Sequence, residues 1–508
     1  MDQSDIGTAA RAGGIVFVGK LFTWGMRLVL AVLLARLLGA SDYGLYTIAL
    51  SVVAVASALS VFGLDAAMIR FVAIAVARGD EARARGTAQV GIAIPAFLSC
   101  LVATGVAIAA EPLAVSVIGE PDLAPVLRVG AVLVPAMVAN SLLTATLQGV
   151  RHIGQAVVAE QFVQPVLRAA ILVVFAVVGL TAELAVVATL VSTVGVGLLM
   201  AWYVHRSLTW TGSAARPTKE IVRFSLPVYF SNIVNTFGGN LQTLLLGGLS
   251  SVASAGVFAV ANQLQLIGSL FHMAIVRSTM PAFAELHDAG ERRRLEDLYQ
   301  TTSKWTFSLN LPFFLVSLGF APALMLVFGP EFTSGADALV VLAAGTLVSS
   351  ATGTSGAMLD MTGHTAMKLV NSTLSVGLAI VLNLALIPSY GVLGAAIASA
   401  AGVTAVNVLR VVELAWLENV QPYNGAYLKP IASGVVAMAI GWAAGRAASL
   451  WFPLAIHGAV GAAITVLVYG LLLVGLGITP DERAMLRRAV QRLRGRRARR
   501  GHMAADAP

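Results

Sequence analysis

The chain has 508 residues, of which 58% are hydrophobic and only 11% charged, and its mean hydropathy is +0.84. A soluble domain carries about 25% charged residues, so this composition excludes most water-soluble enzymes and disordered scaffolds and points to a bilayer as solvent. The net charge of +8 is concentrated in a tail, with nine of the 33 basic residues between Arg483 and Arg500, so it does not speak for nucleic acid.

The opening MDQSDIGTAARAGG is polar and has no signal-peptide pattern. The first long apolar stretch is therefore expected to remain as a membrane helix. Stretches of about 20 mostly apolar residues predict fourteen spans, at 14–38, 43–63, 88–110, 123–148, 157–180, 183–204, 222–248, 254–276, 302–328, 335–360, 367–388, 391–415, 428–448 and 452–477. IPSYG (387–391) marks the weakest division. The runs are continuously apolar, which favours helices over the alternating segments of a membrane barrel.

Lys and Arg in short loops set orientation. The loops after even-numbered spans hold Arg78, Arg83, Arg85, Arg151, Arg206, Arg216, Lys219, Arg292, Arg293, Arg294 and Lys368. The opposite loops hold Asp42, Glu111, Glu120, Asp122, Glu183, Glu331 and Asp337. The basic side is predicted to be cytoplasmic, with both termini there. Two basic-side linkers, ARGDEARARG (77–86) and ELHDAGERRRLEDLYQ (285–300), read as solvated connectors or surface-lying helices. The tail from Asp481 reads as a basic helix at anionic headgroups.

The lone Cys100 excludes an intrachain disulfide, and the seven histidines show no metal-ligand spacing. No GxSxG or P-loop pattern occurs, and no extramembrane segment could house a catalytic domain. Neither an enzyme nor a bound cofactor is expected.

Laid over each other at a shift of 212, the two halves match in separate blocks. Gly44 meets Gly256, Tyr46 meets Phe258, Met68 meets Met280, Phe71 meets Phe283, Leu147 meets Leu359 and His152 meets His364. The shift covers six spans, so the copies share one topology and relate by an axis along the membrane normal. The predicted fold is an all-α polytopic membrane protein: two six-helix lobes (1–215 and 216–420), two further helices (421–480) and a basic tail (481–508). Such lobes enclose a cavity, and their rocking gives alternating access.

Ionisable groups at membrane depth are costly and point to function. Entering near Gly14, span 1 puts Lys20 about 9 Å and Arg27 about 20 Å deep at 1.5 Å per residue. Arg168 lies about 16 Å into span 5 by the same rise. Seven residues separate Lys20 from Arg27, which sets both on nearly one helix face. Their partners at the 212 shift are neutral: Asn232, Gly239 and Ile380. The second lobe instead supplies amides, among them Asn232, Asn235, Asn240, Gln242, Asn262, Gln263, Asn371 and Asn383. No mid-span carboxylate is expected in the first lobe to neutralise Arg27 or Arg168. Unpaired cations suit an anionic ligand, Arg offering forked donors to phosphate, and amides suit sugar hydroxyls. Arg70 and Arg277 lie near the cytoplasmic ends, where a role at the mouth competes with a purely topological one. The alternative for Lys20 and Arg27 is bonding to backbone carbonyls, and for the amides it is helix packing. Asp65 and Asp360 remain available for a coupling Na+ or H+.

The segment LLARLLGASDYGLYTIALSVVAVASALSVFGLDAAMIRFVA (33–73), with Leu38, Gly39, Tyr43, Gly44, Leu45, Tyr46 and Arg70, resembles the opening of polysaccharide flippases of the multidrug/oligosaccharidyl-lipid/polysaccharide exporter superfamily. FSLPVYFSN (224–232) is similar to the start of their second lobe, and NLALIPSYGVLGAAIAS (383–399) to their span 11–12 signature. One departure is that Gln242 and Thr243 stand where family members often carry an Asp-Arg pair. The resemblance implies movement of a polyprenyl-diphosphate-linked glycan across the cytoplasmic membrane, with membrane lipids and glycosyltransferases or a polymerase as partners. The alternatives are a cation-coupled small-molecule exporter of the same superfamily and a non-transporting scaffold for glycan assembly.

Overall fold

The computed structural model describes residues 3–208 and 213–477, with side chains there except at 3–21, 270–271, 365–366, 368–369 and 476–477. The tail expected from Asp481 lies outside the described residues. Those described form fifteen α-helices and no strand: α1 (Gln3–Val61), α2 (Leu64–Ala77), α3 (Glu81–Pro112), α4 (Leu123–Gly149), α5 (Ile153–Val157), α6 (Gln164–Val178), α7 (Ala182–Ser207), α8 (Thr218–Leu249), α9 (Val252–Asp288), α10 (Arg292–Leu326), α11 (Ala336–Ala351), α12 (Ser355–Met361), α13 (Thr365–Leu417), α14 (Leu428–Ala448) and α15 (Leu454–Leu472). A π-helical turn, Val158–Val163, joins α5 to α6 without a break. The chain is an all-α polytopic membrane protein.

Among the described residues, eleven segments are long and apolar enough to cross a membrane. Two of them, Phe22–Val61 and Val370–Leu417, run 40 and 48 residues, about 60–70 Å at 1.5 Å per residue, or twice the hydrocarbon core. Each is broken at one glycine. Gly39 has φ 72° and ψ 179°, and Gly391 has φ 51° and ψ −124°, backbone that residues with a β-carbon avoid. Helix α8 is 32 residues long but is not among the eleven, because Asn232, Asn235, Asn240 and Gln242 dilute its apolar content. The two basic-side linkers are not separate surface helices. Residues 81–86 are the first turns of α3, started by the Asp80 side chain accepting from the Arg83 N–H at 2.9 Å. Residues 285–288 and 292–300 extend α9 and α10.

The backbone divides into two compact units. The first comprises residues 1–266, 325–342 and 372–403, and the second 267–324, 343–371 and 404–508. In the first unit, Leu147, Ala159, Val196 and Met200 form a core where α4, the π-helical turn and α7 meet. In the second, Phe283, Leu295, Tyr299, Met358, Leu359 and Leu414 form another. There Gly441 and Gly461 let α14 and α15 approach closely.

The 212 shift survives in local geometry. Arg151 (φ 65°) and Gly363 (φ 89°) take the same left-handed turn in the two copies. The next residues, His152 and His364, donate their N–H groups to Leu147 and Leu359 at 2.8 and 2.9 Å. Gly179 and Gly391 both have positive φ between their paired helices. Within the first unit a reciprocal contact appears: a β-carbon on Gly44 would collide with the Val252 carbonyl, and one on Gly256 with the Ala40 carbonyl. Positions 40 and 252, like 44 and 256, are related by that shift, so the contact is two-fold in kind.

Candidate functional site

The Leu38–Tyr46 motif builds a junction inside the first unit. The break at Gly39 leaves the N–H of Ala40 without a helical acceptor. Glu331 fills the gap, its Oε2 accepting from Ala40 N–H at 2.7 Å. Arg36 donates from Nε to the Val327 carbonyl at 2.7 Å. Tyr43 meets Phe332 edge to face, ring centres 5.9 Å apart. Further along the same 33–73 segment the chain meets FSLPVYFSN: Gly63 has its would-be β-carbon 2.5 Å from the Ser225 carbonyl, and the ring centre of Phe62 lies 4.6 Å from that of Tyr229.

Arg27 in α1 is exposed. Its Nε donates to Gln263 Oε1 of α9 at 3.1 Å, and its guanidinium lies 5.8 Å from the Trp24 ring centre. Among the described residues no carboxylate pairs with it. Cation and amide, read from opposite halves of the sequence, are thus hydrogen-bonded. The backbone of Lys20 lies in α1, while its side chain is outside the described residues.

Arg168 in α6 lines a cavity of about 630 Å³ in the first unit, together with Asp65, Asn140, Thr144, Glu160 and Gln164. Its Nη2 donates to the Tyr46 hydroxyl, and its Nε is buried with no hydrogen-bond partner. Glu160 corrects the expectation of a first lobe without deep carboxylates. The helical segment begins at Ile153, not 157, so Glu160 lies about 10 Å along it at 1.5 Å per residue. The Thr144 hydroxyl donates to Glu160 Oε1, whereas Asp65 Oδ1 is buried without a partner. Asn140 donates to the Thr193 carbonyl at 2.9 Å.

Of the remaining predicted residues, Arg70 is exposed with its guanidinium 5.0 Å from the ring centre of Phe224, which ties α2 to α8. Arg277 is exposed on α9. Asn235 is exposed, whereas Asn232, Asn240 and Gln242 are half-buried on α8. Asn240 bonds locally, to the Thr236 carbonyl at 2.8 Å. None of these residues except Arg168 lines the first-unit cavity. Glu160 and Asn140 were missed. Their signal was present, since polar residues at 140, 144, 160 and 164 recur at helical spacing on spans 4 and 5.

This fold occurs in solved structures. The chain superposes on the lipid II flippase MurJ in its inward closed conformation with a TM-score of 0.71 and 12% identity, covering 91% of this chain and 99% of that one. An inward-facing multidrug resistance MATE family transporter gives 0.64 at 18% identity, covering 78% and 94%. The family model described as polysaccharide biosynthesis protein matches residues 9–287, more than half of the sequence, and the chain belongs to that family. The MatE model matches residues 227–385. Among curated relatives, the probable low-salt glycan biosynthesis flippase Agl15 of Haloferax volcanii is 25% identical over 44% of this chain and 47% of its own length. The succinoglycan biosynthesis transport protein ExoT of Rhizobium meliloti is 24% identical over 66% of each. The chain spans about half the length of the first curated relatives it matches.

Proposed function

We propose that this protein is a flippase that moves a polyprenyl-diphosphate-linked oligosaccharide across the cytoplasmic membrane by alternating access, and that it catalyses no covalent reaction. The observation that carries the reading is Arg27: a guanidinium in an apolar span, exposed, and held by the neutral Gln263 in place of a carboxylate. An arginine at the centre of a membrane helix costs about 2.5–3.5 kcal/mol on insertion scales, a cost that contact with a diphosphate offsets. The names of Agl15, ExoT and MurJ support the same substrate class.

In this reading Lys20 and Arg27 grip the diphosphate, Arg168 assists, Asn232, Asn235, Asn240 and Gln242 contact sugars, and Arg70 and Arg277 attract the head group at the cytoplasmic mouth. The chain crosses fourteen times, the 40- and 48-residue segments and α8 supplying the crossings beyond eleven, with both termini cytoplasmic. The lobes are 1–215 and 216–420, with 421–480 and the tail added. Glycosyltransferases or a polymerase supply and consume the lipid-linked glycan. Asp65 and Glu160, facing one cavity, are the candidate carboxylates for a coupling Na+ or H+.

Replacing Arg27 with Ala tests the core of the reading. Flipping of a lipid-linked glycan in proteoliposomes is expected to fall at least tenfold at equal protein level, with Arg27→Lys retaining part of it. Unchanged flipping in Arg27→Ala removes Arg27 from the mechanism. Raised drug tolerance on expression without a glycan phenotype would instead favour the small-molecule exporter.

A further inference from the structure

We propose that the seam between α10 and α14, in the second unit, binds one anionic phospholipid. Its phosphate sits on Arg446 and His457, and one acyl chain lies along the apolar groove that starts at Trp442.

Two adjoining cavities make the site. One, of about 210 Å³, is lined by Arg446, Ser449 and His457 and closed by Phe320, Pro322 and Ala323 of α10. The other, of about 570 Å³, is lined by apolar side chains alone, from Leu311, Leu315 and Leu318 of α10 to Ile431, Val435 and Met438 of α14. Trp442 lines both. The guanidinium of Arg446 lies 5.5 Å from the Trp442 ring centre. Among the described residues it has no ion pair and donates no hydrogen bond, so its donors remain for an anion. His457 Nδ1 is 3.3 Å from the Phe452 carbonyl, to which only an Nδ1–H can donate, so it is the imidazolium form that has an Nε2–H to offer a phosphate. The Ser449 hydroxyl donates to the Arg446 carbonyl at 2.7 Å and is spent.

Position selects the ligand. The start of α14 is tied to the basic linkers: Asn424 donates to Gln300 at 2.9 Å, and Arg292 donates to the Glu418 carbonyl at 2.5 Å. Arg446 therefore lies at the opposite end of α14. The loops read from the sequence as opposite to the basic linkers are mostly acidic, and Arg128, close to one of them in sequence, is paired with Glu111 at 2.5 Å. An unpaired cation at this level lacks the topological reason that serves the basic loops. Beside it Leu450 and Trp451 are 80% and 82% exposed, the composition of an interfacial belt. From Trp442 back to Ile431 the groove runs about 16 Å at 1.5 Å per residue, close to half the hydrocarbon core of about 30 Å. Charge at headgroup level joined to an apolar track one leaflet deep describes a phospholipid.

The test uses the full-length chain, purified in mild detergent, delipidated and titrated with lipid under native mass spectrometry. Phosphatidylglycerol, phosphatidylcholine with the same chains, and undecaprenyl phosphate are compared. The wild type is expected to bind one phosphatidylglycerol at least tenfold more tightly than phosphatidylcholine. Arg446→Gln and His457→Gln each reduce that preference at least threefold, Arg446→Lys keeps most of it, and Arg128→Gln leaves it unchanged. Equal binding of the two phospholipids, an unaltered preference in both Gln variants, or exclusive binding of undecaprenyl phosphate would each overturn the proposal. Should Arg446→Gln fail to fold, Val435→Trp, which fills the groove, must lower phosphatidylglycerol affinity, and failure to do so counts equally against it.

Discussion

Glu160 shows how much one side chain can alter the chemistry of a membrane lobe. It shares a cavity with Arg168 and Asp65 and accepts a hydrogen bond from Thr144. Glutamine can accept the same bond but cannot exchange a proton or balance a cation. Glu160→Gln is therefore expected to leave stability nearly unchanged while making transport at least tenfold less responsive to an imposed ion gradient. Proteoliposome flux with and without the gradient reads this directly, and an unaltered gradient response would place coupling elsewhere. That Arg27 and Arg168 stand inside long apolar helices was legible from the sequence, because continuous apolar runs mark the segments Phe22–Val61 and Ile153–Val178 that hold them. Glu160 was not, because an error of four residues in the helix start moves a carboxylate by about 6 Å, enough to take it from interface to interior. Gln263 was visible as one amide among several. Its selection by Arg27 depends on packing between segments 236 residues apart, which no local pattern encodes.

At the level of helices, Gly44 and Gly256 have no space for a β-carbon, and each is opposed by a carbonyl at the position 212 residues removed from the other's opponent. Larger residues there must push backbones apart, and overpacking of this kind costs about 1–3 kcal/mol. Gly44→Val and Gly256→Val are each expected to lower the melting temperature and to slow transport, by similar amounts because the contact is reciprocal. Thermal denaturation in detergent and a flipping assay on both variants check this, and a large asymmetry would contradict the two-fold relation. The sequence displayed these helices with uneven clarity. Continuous apolar runs such as α7 were unambiguous, whereas Gly39 and Gly391 bend chains that remain helical on both sides. The four amides of α8 lower its hydropathy at the positions that make it a candidate for contact with sugars.

For the molecule as a whole, charge distribution and internal duplication were readable early, since both sum over many weak local signals. The division into two compact units was not, because it follows contacts between distant segments: residues 325–342 and 372–403 group with the first half of the chain. The basic tail separates transport from scaffolding. Removing residues 481–508 is expected to preserve flipping to within about twofold. A non-transporting scaffold that recruits glycan-assembling enzymes through that tail would instead lose surface glycan in cells on the same deletion, and would show no flipping in vesicles with or without the tail.

The carboxylate of Glu331 that closes the gap at Ala40 has a consequence for biosynthesis. The two groups are 291 residues apart, and at 5–20 residues per second a ribosome needs roughly 15–60 s to get from one to the other. Through that interval the nascent amino-terminal hairpin sits in the lipid with an exposed amide at its bend. It acquires its lasting partner only after more than half of the polypeptide has been threaded into the bilayer.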